Sequence, residues 1–285
     1  MAGGAIMTAM DADRPSPDLT STANPHVKAI AKLRDRRERD RTGLTIVDGA
    51  REVRRALQGG ATVDEAFVCV PLLQGEDARA AYDQLEARGI PVRTTSPTVF
   101  EKLAFGERAE GILAVVRIPS TRLDDLRLPS DPLVVVLEGV EKPGNLGAVL
   151  RSADGAGADA LIVASGRTDP FNPNVIRASA GTVFSVPLAS ASSEDVIAWL
   201  GEQGIRIVAA RVDAPVAYSD ADLRGPLAIA LGSEADGLTD AWDRAGIEQV
   251  SLPMHGIADS LNVSVTAAVL LYEARRQRGG PGAAV

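Results

Sequence analysis

The sequence is poor in the side chains that form disulfides and metal clusters. It has one cysteine, Cys69, and two histidines, His26 and His255. A lone cysteine excludes an internal disulfide and a cysteine-based zinc site, and two histidines are too few for a histidine-rich metal cluster. Cys69 lies in the strand-like run Ala66–Val70. We therefore expect a buried core thiol and no metal.

Long apolar runs are also lacking. No run approaches the roughly eighteen consecutive apolar residues that a membrane span requires. Residues 1–23 are rich in Ala, Asp, Pro and Thr and have no basic stretch before an apolar core, which predicts a disordered leader rather than a signal peptide. We also expect residues 279–285 to be a flexible tail, and the cytoplasm is the expected compartment.

Neither common nucleotide fingerprint is present in a suitable place. Gly155-Ala-Gly157-Ala-Asp-Ala160 fits a loose G-x-G-x-x-A pattern. That pattern must follow a strand and open a helix, whereas here it ends a predicted helix, so we interpret it as a helix C-cap. Gly232 and Gly237 have the Walker spacing, but Leu238 follows them. These observations exclude NAD(P) and P-loop chemistry.

Positive charge is scarce overall but concentrated near the N-terminus. Lys and Arg number 30 against 38 Asp and Glu, a net charge of −8, which argues against an indiscriminate nucleic-acid binder. Residues 27–41, however, hold seven basic residues and three acidic ones. This excess is able to meet phosphate, although a solvated helix with alternating charges also fits. The candidate RNA contacts in this segment are Lys32, Arg34, Arg36 and Arg37.

Residues 24–118 alternate between strand and helix patterns, which predicts a small α/β or α/β/α domain. A helix capped by Asn24-Pro25 runs to about Arg39. The predicted strands are 44–47, 63–70, 91–94 and 111–118, and the further helices are 50–58, 76–88 and 98–103. Residues 119–131 lack a hydrophobic period and read as a linker.

Residues 132–278 predict a mostly parallel sheet with helices on its faces. The strands are 133–137, 160–164, 205–210, 226–231 and 247–252, and the helices are 146–156, 174–180, 193–203 and 265–276. The last two strands deliver the loops 232–238 and 252–264. In an open α/β sheet this edge is where ligands bind.

Three motifs stand at the starts of helices or the ends of strands in this second domain. Asn145-Leu-Gly147-Ala-Val-Leu-Arg151 opens a helix, with Asn145 as the expected N-cap and Gly147 permitting a close approach. The second motif is Leu231–Leu238, and the third is Pro253-Met254 followed by Ser260-Leu-Asn262-Val-Ser. Taken singly, each has a structural interpretation as a helix cap or turn.

Together the motifs resemble the SpoU (TrmH-type) branch of the SPOUT RNA 2′-O-ribose methyltransferases in order, residue type and spacing. Upstream, residues 45–116 resemble the substrate-binding domain of such enzymes, which is built like a small ribosomal protein. Val47-Asp48-Gly49-Ala-Arg51 carries this similarity, with Asp48 where the family usually has Glu. Arg51 joins the candidate RNA contacts on this basis.

The resemblance implies a deep trefoil knot whose pocket binds S-adenosylmethionine. The positions that match the family's cofactor contacts are Leu231, Gly232, Gly237, Leu252, Met254 and Leu261. Those that match its catalytic set are Asn145, Arg151, Glu234, Ser260 and Asn262. Because guanidinium is effectively always protonated, we interpret Arg151 as binding phosphate and stabilising the developing 2′-alkoxide rather than as the base.

The resemblance also implies partners. Enzymes of this type are homodimers through the knotted domain, and the apolar helix 265–274 is either part of that interface or a core helix. The RNA is ribosomal RNA on the strength of the separate N-terminal domain. The alternatives are a tRNA 2′-O-methyltransferase and a non-catalytic RNA-binding or ribosome-assembly protein on the same fold.

Overall fold

The computed structural model describes residues 16–105 and 110–279, and its first part is an α/β/α domain. Four strands pair in the order β1-β4-β2-β3, with β1–β4 and β4–β2 antiparallel and β2–β3 parallel. The helices are α1 (Pro25–Lys32), α2 (Arg36–Thr42), α3 (Ala50–Gln58), α4 (Glu76–Ala87) and α5 (Pro97–Leu103), and the strands are β1 (Leu44–Asp48), β2 (Val63–Val68), β3 (Val92–Thr94) and β4 (Ile112–Arg117).

Strand alternation explains the layers of this domain, because successive side chains point to opposite faces. Ile46 and Phe67 pack in the cluster formed with α1 and α5. Their chain neighbours Val47 and Val68 pack in the cluster formed with α3 and α4. Cys69 is fully buried in the first of these clusters, as predicted.

The second part contains a seven-stranded sheet in which every strand pairing is parallel. This agrees with the mostly parallel sheet that the sequence predicts. The strand order is β7-β6-β5-β10-β8-β11-β9. The strands are β5 (Leu133–Glu138), β6 (Ala160–Ala164), β7 (Leu188–Ala191), β8 (Arg206–Ala210), β9 (Val216–Ala217), β10 (Leu227–Leu231) and β11 (Ile247–Ser251). The helices are α6 (Pro143–Ala156), α7 (Pro173–Ala178), α8 (Ser193–Glu202) and α9 (Val263–Gln277).

Helices α6 and α9 pack on one face of this sheet and α8 on the other. Gly157 ends α6 in the left-handed conformation, with φ 66°, so the apparent nucleotide fingerprint is a helix C-cap, as predicted. No helix among the described residues is long and apolar enough to cross a bilayer.

The single helix predicted from Asn24 to about Arg39 is wrong, because the chain breaks between α1 and α2. Asp35 caps α2 by accepting a hydrogen bond from the Arg37 main-chain N–H at 3.0 Å. The Arg39 guanidinium turns back and donates to the carbonyls of Leu33 and Arg34, at 2.9 and 2.8 Å. The main-chain groups at the break are thus hydrogen-bonded by the side chains of Asp35 and Arg39. From the sequence alone, these charged side chains would be expected to face solvent.

Asn145 is not the N-cap of α6, which corrects another prediction. The helix begins two residues earlier, at Pro143, and Lys142 precedes it. The Lys142 carbonyl accepts from the main-chain N–H groups of Asn145 and Leu146. A proline at the first helical position is pre-organised for this start, and the Asn145 amide is left available for other contacts.

The edge strands β7 and β9 were not predicted. Both are short, and neither has a long apolar run of its own. Each forms by pairing with a longer neighbouring strand, β7 with β6 and β9 with β11.

The two parts share one apolar core. The cluster that contains α3 and α4 continues into α6, Phe171 and Phe184. A buried ion pair crosses the same junction, where Arg39, 1% exposed, donates from Nη2 to Asp169 Oδ2 at 2.6 Å. Thr45 Oγ1 also donates to the Phe171 carbonyl at 2.7 Å. Apolar and ionic contacts therefore both fix the domains against each other.

The predicted leader needs a correction at its end. Leu19 is 8% exposed, belongs to the core of the first domain and pairs with Thr95. Asp18 and Leu19 therefore pair with that domain, while residues 20–23 are exposed. Residues 1–15 of the leader and 280–285 of the predicted flexible tail lie outside the described residues.

Candidate active site

A cavity of about 510 Å³ opens at the carboxyl edge of the parallel sheet. It lies between the ends of β8, β10 and β11 and the start of α9, which is where open parallel sheets bind ligands. Its volume is in the range of small-molecule sites. All six predicted cofactor positions line it, namely Leu231, Gly232, Gly237, Leu252, Met254 and Leu261.

The loop after β10 folds back on itself at one wall of this cavity. Ser233 and Gly237 exchange main-chain hydrogen bonds of 3.1 and 3.0 Å. A Cβ on Gly232 would lie 1.9 Å from the carbonyl carbon of Gly237, so no larger residue fits without moving main chain. Gly237 has φ +67°. This closed turn presents Glu234 near its tip.

The irregular chain from Pro253 to Leu261 also contributes to the lining, through Met254, Asp259, Ser260 and Leu261. The main-chain groups of this segment make no hydrogen bond to any residue that the structure describes. They are therefore available to a ligand in the cavity, as the resemblance implies for a cofactor held by main-chain contacts. The Met254 side chain is half-buried at the cavity lining.

A polar cluster gathers at the mouth of the cavity. Lys142 Nζ lies 2.6 Å from Glu234 Oε2, and Asn262 Nδ2 donates to Glu234 Oε1. Asn262 Nδ2 also lies 3.4 Å from Asn145 Oδ1. Asn262 caps α9, as the sequence allowed, by accepting from the Ser264 main-chain N–H at 2.9 Å. Residues from three distant segments thus meet at one carboxylate.

The Lys142 ammonium has an electrostatic consequence for this carboxylate. Its hydrogen bond holds the pKa of Glu234 below its usual range, and Asn145 contributes in the same direction. Glu234 is therefore an anion with one oxygen on a cation and the other on an amide. Lys142 was missed in the sequence, where the only signal was a lysine directly before Pro143 in the loop that follows a buried strand.

Ser260 and Arg151 are not part of this cluster. Ser260 lines the cavity and is exposed, and its side chain bonds to no described residue. Arg151 lies further along α6, exposed, and within the described chain its guanidinium likewise has no hydrogen-bond or ion-pair partner. Of the five predicted catalytic residues, the structure brings together Asn145, Glu234 and Asn262.

Glu138, at the end of β5, supports the loop from behind and was also missed. It is 3% exposed and accepts from the Thr239 main-chain N–H at 2.7 Å and from Ser193 Oγ. Burial by itself raises the pKa of Glu138, but these hydrogen bonds outweigh it and hold the pKa below its usual range. The cavity loop is thus tied to a buried carboxylate anion.

The side chains predicted to contact RNA differ in their exposure and in the bonds that they already make within the protein. Lys32 and Arg37 are exposed. Arg36 is exposed too, with a hydrogen bond to the Arg167 carbonyl at 3.1 Å and an ion pair with Asp40 at 3.7 Å. Arg51 is 52% exposed beside Glu52. Arg34 is removed from the set, because its guanidinium donates to two carbonyls at the end of α5.

Asp48 lies in the junction between the domains rather than on the surface. It is 5% exposed, and Oδ2 accepts from the Phe105 main-chain N–H at 2.6 Å and lies 3.4 Å from Arg177 Nη2. Its other oxygen is buried and has no hydrogen-bond partner among the residues that the structure describes. Burial raises the pKa of Asp48 to about 6, although Phe105 and Arg177 act in the opposite direction.

Among the described residues no group of His, Cys, Asp and Glu side chains is arranged to hold a metal ion. The polar cluster at the cavity mouth consists of two amides and a lysine–glutamate pair.

Comparison with known proteins assigns both parts of the chain. The SpoU rRNA Methylase family matches residues 132–272, and the MRM3-like substrate binding domain matches residues 24–114. The 23S rRNA (guanosine-2′-O-)-methyltransferase RlmB of Pectobacterium atrosepticum is 35% identical over 76% of this chain and 92% of its own length.

Solved structures agree with this assignment. An RNA 2′-O ribose methyltransferase is similar with a TM-score of 0.80 and 44% identity, covering 91% of this chain and 98% of that one. The AdoMet-bound rRNA methyltransferase from Sinorhizobium meliloti is similar with a TM-score of 0.81 and 30% identity, covering 90% and 97%. The chain belongs to the SpoU rRNA methylase family.

Proposed function

We propose that this protein transfers a methyl group from S-adenosylmethionine to a ribose 2′-hydroxyl of ribosomal RNA. The observation that carries the proposal is the cluster of Glu234, Asn262, Asn145 and Lys142 at the mouth of the cavity. This cluster brings one residue from each of the family's three motifs together at one edge of the sheet. Similar proteins act on 23S rRNA, and one similar structure holds AdoMet.

The cavity fits the cofactor on its own features. Its volume suits a nucleoside-sized ligand, and the unpaired main-chain groups of residues 253–261 offer donors and acceptors. Gly232 and Gly237 add no side chains to the lining, while Leu231, Leu252, Met254 and Leu261 give it apolar surface. Bound S-adenosylmethionine would supply the reactive methyl group of its sulfonium.

The protein side chains would place the ribose and stabilise charge. Glu234 and Asn262 hold each other in a fixed geometry, and Asn145 lies beside them, so a hydroxyl docked there meets pre-oriented acceptors and donors. Ser260, on the same rim, would orient the ribose. The free Arg151 guanidinium would bind the adjacent phosphate and stabilise the developing alkoxide.

We further propose that the functional unit is a homodimer built on the second domain. Val265 and Tyr272 are 46% and 54% exposed on α9. They are seven residues apart and therefore lie on one helix face. The Tyr272 hydroxyl lies close to Gly155 of α6, so both helices contribute to this surface. Exposed large apolar groups of this kind mark interfaces.

RNA recognition is assigned to the first domain. Residues 24–118 would bind RNA, residues 132–278 would carry the transfer, and residues 119–131 would join them. Lys32, Arg36, Arg37 and Arg51 supply exposed positive charge to the first domain. An enzyme acting on ribosomal RNA would work in the cytoplasm.

The test is a comparison of total RNA from cells with and without the protein, with 2′-O-methylated nucleotides mapped by mass spectrometry. The proposal expects one ribosomal nucleotide to lose its ribose methyl group when the protein is absent. Incubation of the purified protein with labelled S-adenosylmethionine should restore that group. A methyl group lost from tRNA alone, or none lost, would contradict it.

A further inference from the structure

Lys142 connects two loops that the sequence keeps far apart. Its carbonyl accepts the first hydrogen bonds of α6, so its main chain is fixed. Its side chain, 73% exposed, crosses to the loop after β10 and lies 2.6 Å from Glu234. No other cation of the described residues forms an ion pair with Glu234. The lysine is therefore the sole protein counter-charge that the structure gives this carboxylate.

Contacts continue from Glu234 into the start of α9. Its second oxygen accepts from Asn262 Nδ2, and Asn262 Oδ1 in turn accepts from Ser264 N–H and Oγ at 2.9 and 2.6 Å. A displacement of Glu234 therefore reaches the amide that caps α9. Asn145, on the helix that Lys142 precedes, lies against the same amide.

We propose that Lys142 is a positioning residue for methyl transfer, which holds the Glu234 carboxylate so that Oε1 orients Asn262 toward the ribose. The inference rests on the proposed function and deepens it. Lys142 acts through Glu234 and needs no contact with the reacting atoms. A misplacement of catalytic groups by about 1 Å is able to cost about a hundredfold in rate.

A purely structural role predicts a different outcome from a positioning role. The pair is exposed to solvent, and exposed ion pairs add little to stability. Lys142→Met should therefore leave the melting temperature nearly unchanged. Its effect should appear in kcat, because the pair is connected to residues of the proposed site.

The experiment compares Lys142→Met, Lys142→Arg and a matched control, Arg122→Met. Arg122 is 74% exposed and pairs with the equally exposed Asp124 far from the cavity. We expect Lys142→Met to lower kcat at least about tenfold, with the KM for RNA and the cofactor Kd little changed. Lys142→Arg should recover most of the loss, since guanidinium also pairs with carboxylate, and Arg122→Met should behave as the unaltered protein.

A readout independent of turnover separates this inference from the proposed function. The carboxyl carbon of Glu234 is titrated by NMR in the unaltered protein and in Lys142→Met. Its midpoint should move to higher pH without the ammonium. An unmoved midpoint, or an unchanged kcat, overturns the positioning role.

A loss confined to the KM for RNA, with a reduced salt dependence of binding, would make Lys142 a phosphate ligand instead and would also overturn the inference. Absence of methyl transfer by the unaltered protein, with the NMR midpoint shifted as expected, would refute the proposed function while leaving the Lys142–Glu234 coupling intact.

Discussion

Replacement of Asp48 by asparagine is expected to stabilise the protein at neutral pH. Asp48 is buried between the domains, with one oxygen bonded to Phe105 N–H and the other without a partner in the described part of the chain. The ionised carboxylate is poorly compensated there, because Arg177 lies 3.4 Å away and the acidic Glu52 and Glu110 lie nearby. Asparagine keeps the acceptor for Phe105 and removes the charge.

The magnitude follows from the pKa of Asp48. Folding raises it from 3.8 to about 6, so between these values the folded state binds more protons than the unfolded state. The free energy of unfolding must then fall as pH rises through this window. Each pKa unit is worth about 1.36 kcal/mol, which gives a cost of about 3 kcal/mol at most above pH 6. Below pH 4 this cost is absent.

Urea denaturation from pH 4 to pH 8 measures the effect. Asp48→Asn should match the unaltered protein near pH 4 and exceed it by about 2–3 kcal/mol at pH 7, a value built from the same linkage. Asp124→Asn, at a carboxylate 74% exposed, is the matched control. An Asp48→Asn protein that is less stable at pH 7 would show that the Arg177 ion pair outweighs the cost of burial, and would refute the reasoning.

Four further outcomes are expected. Gly232→Ala should abolish cofactor binding, measured by calorimetry, because the added Cβ would meet main chain of the same loop at 1.9 Å; unchanged affinity would contradict the loop geometry. Arg39→Met should destabilise the protein by about 3–5 kcal/mol in urea melts, since it leaves a buried carboxylate unpaired, and a loss below about 1 kcal/mol would deny that the ion pair joins the domains. Arg151→Ala should abolish methylation while cofactor affinity stays within about twofold, and parallel loss of both would refute its assigned role. Arg36→Glu with Arg37→Glu should weaken RNA binding and flatten its salt dependence, whereas an unchanged slope would remove α2 from the RNA surface.

The sequence predicted the buried strands well because their signal is local. Leu133–Leu137 and Leu227–Leu231 are continuous apolar runs, and such runs are typical of strands covered on both faces. The helix Ala50–Gln58 was predicted with its observed bounds, since Gly residues flank it and its apolar positions follow a helical period. Short edge strands such as Leu188–Ala191 carry no such pattern, because they depend on a neighbouring strand.

The wrong predictions lie where contacts with distant side chains, rather than the local sequence pattern, determine the structure. The break between α1 and α2 depends on Arg39, whose guanidinium bonds two carbonyls and Asp169. In the sequence Arg39 is one of several alternating charges. Similarly, Asn145 is a good N-cap by residue type, but Pro143 starts the helix earlier. Residue type predicted that helices form in these segments. Tertiary contacts and neighbouring residues determined where each helix begins or ends.

The sequence predicted the cofactor residues that line the cavity of the candidate site, but it did not predict all of the charged residues there. Motif positions placed all six cofactor candidates around one cavity. Lys142 and Glu138 were missed, because a lysine before proline and a glutamate ending an apolar strand have no distinctive spacing. Their roles depend on Glu234 and Thr239, which lie far along the chain.

The ion pair between Arg39 and Asp169 bears on how a target nucleotide is chosen. Residues 24–118 and 132–278 share a core and a buried charge pair. If the first of these domains recognises RNA and the second transfers the methyl group, as we propose, the span between them is set before RNA arrives. The enzyme would then select a ribose by its distance from the RNA element that the first domain binds. In such a design the nucleotide base next to the ribose need carry little of the specificity.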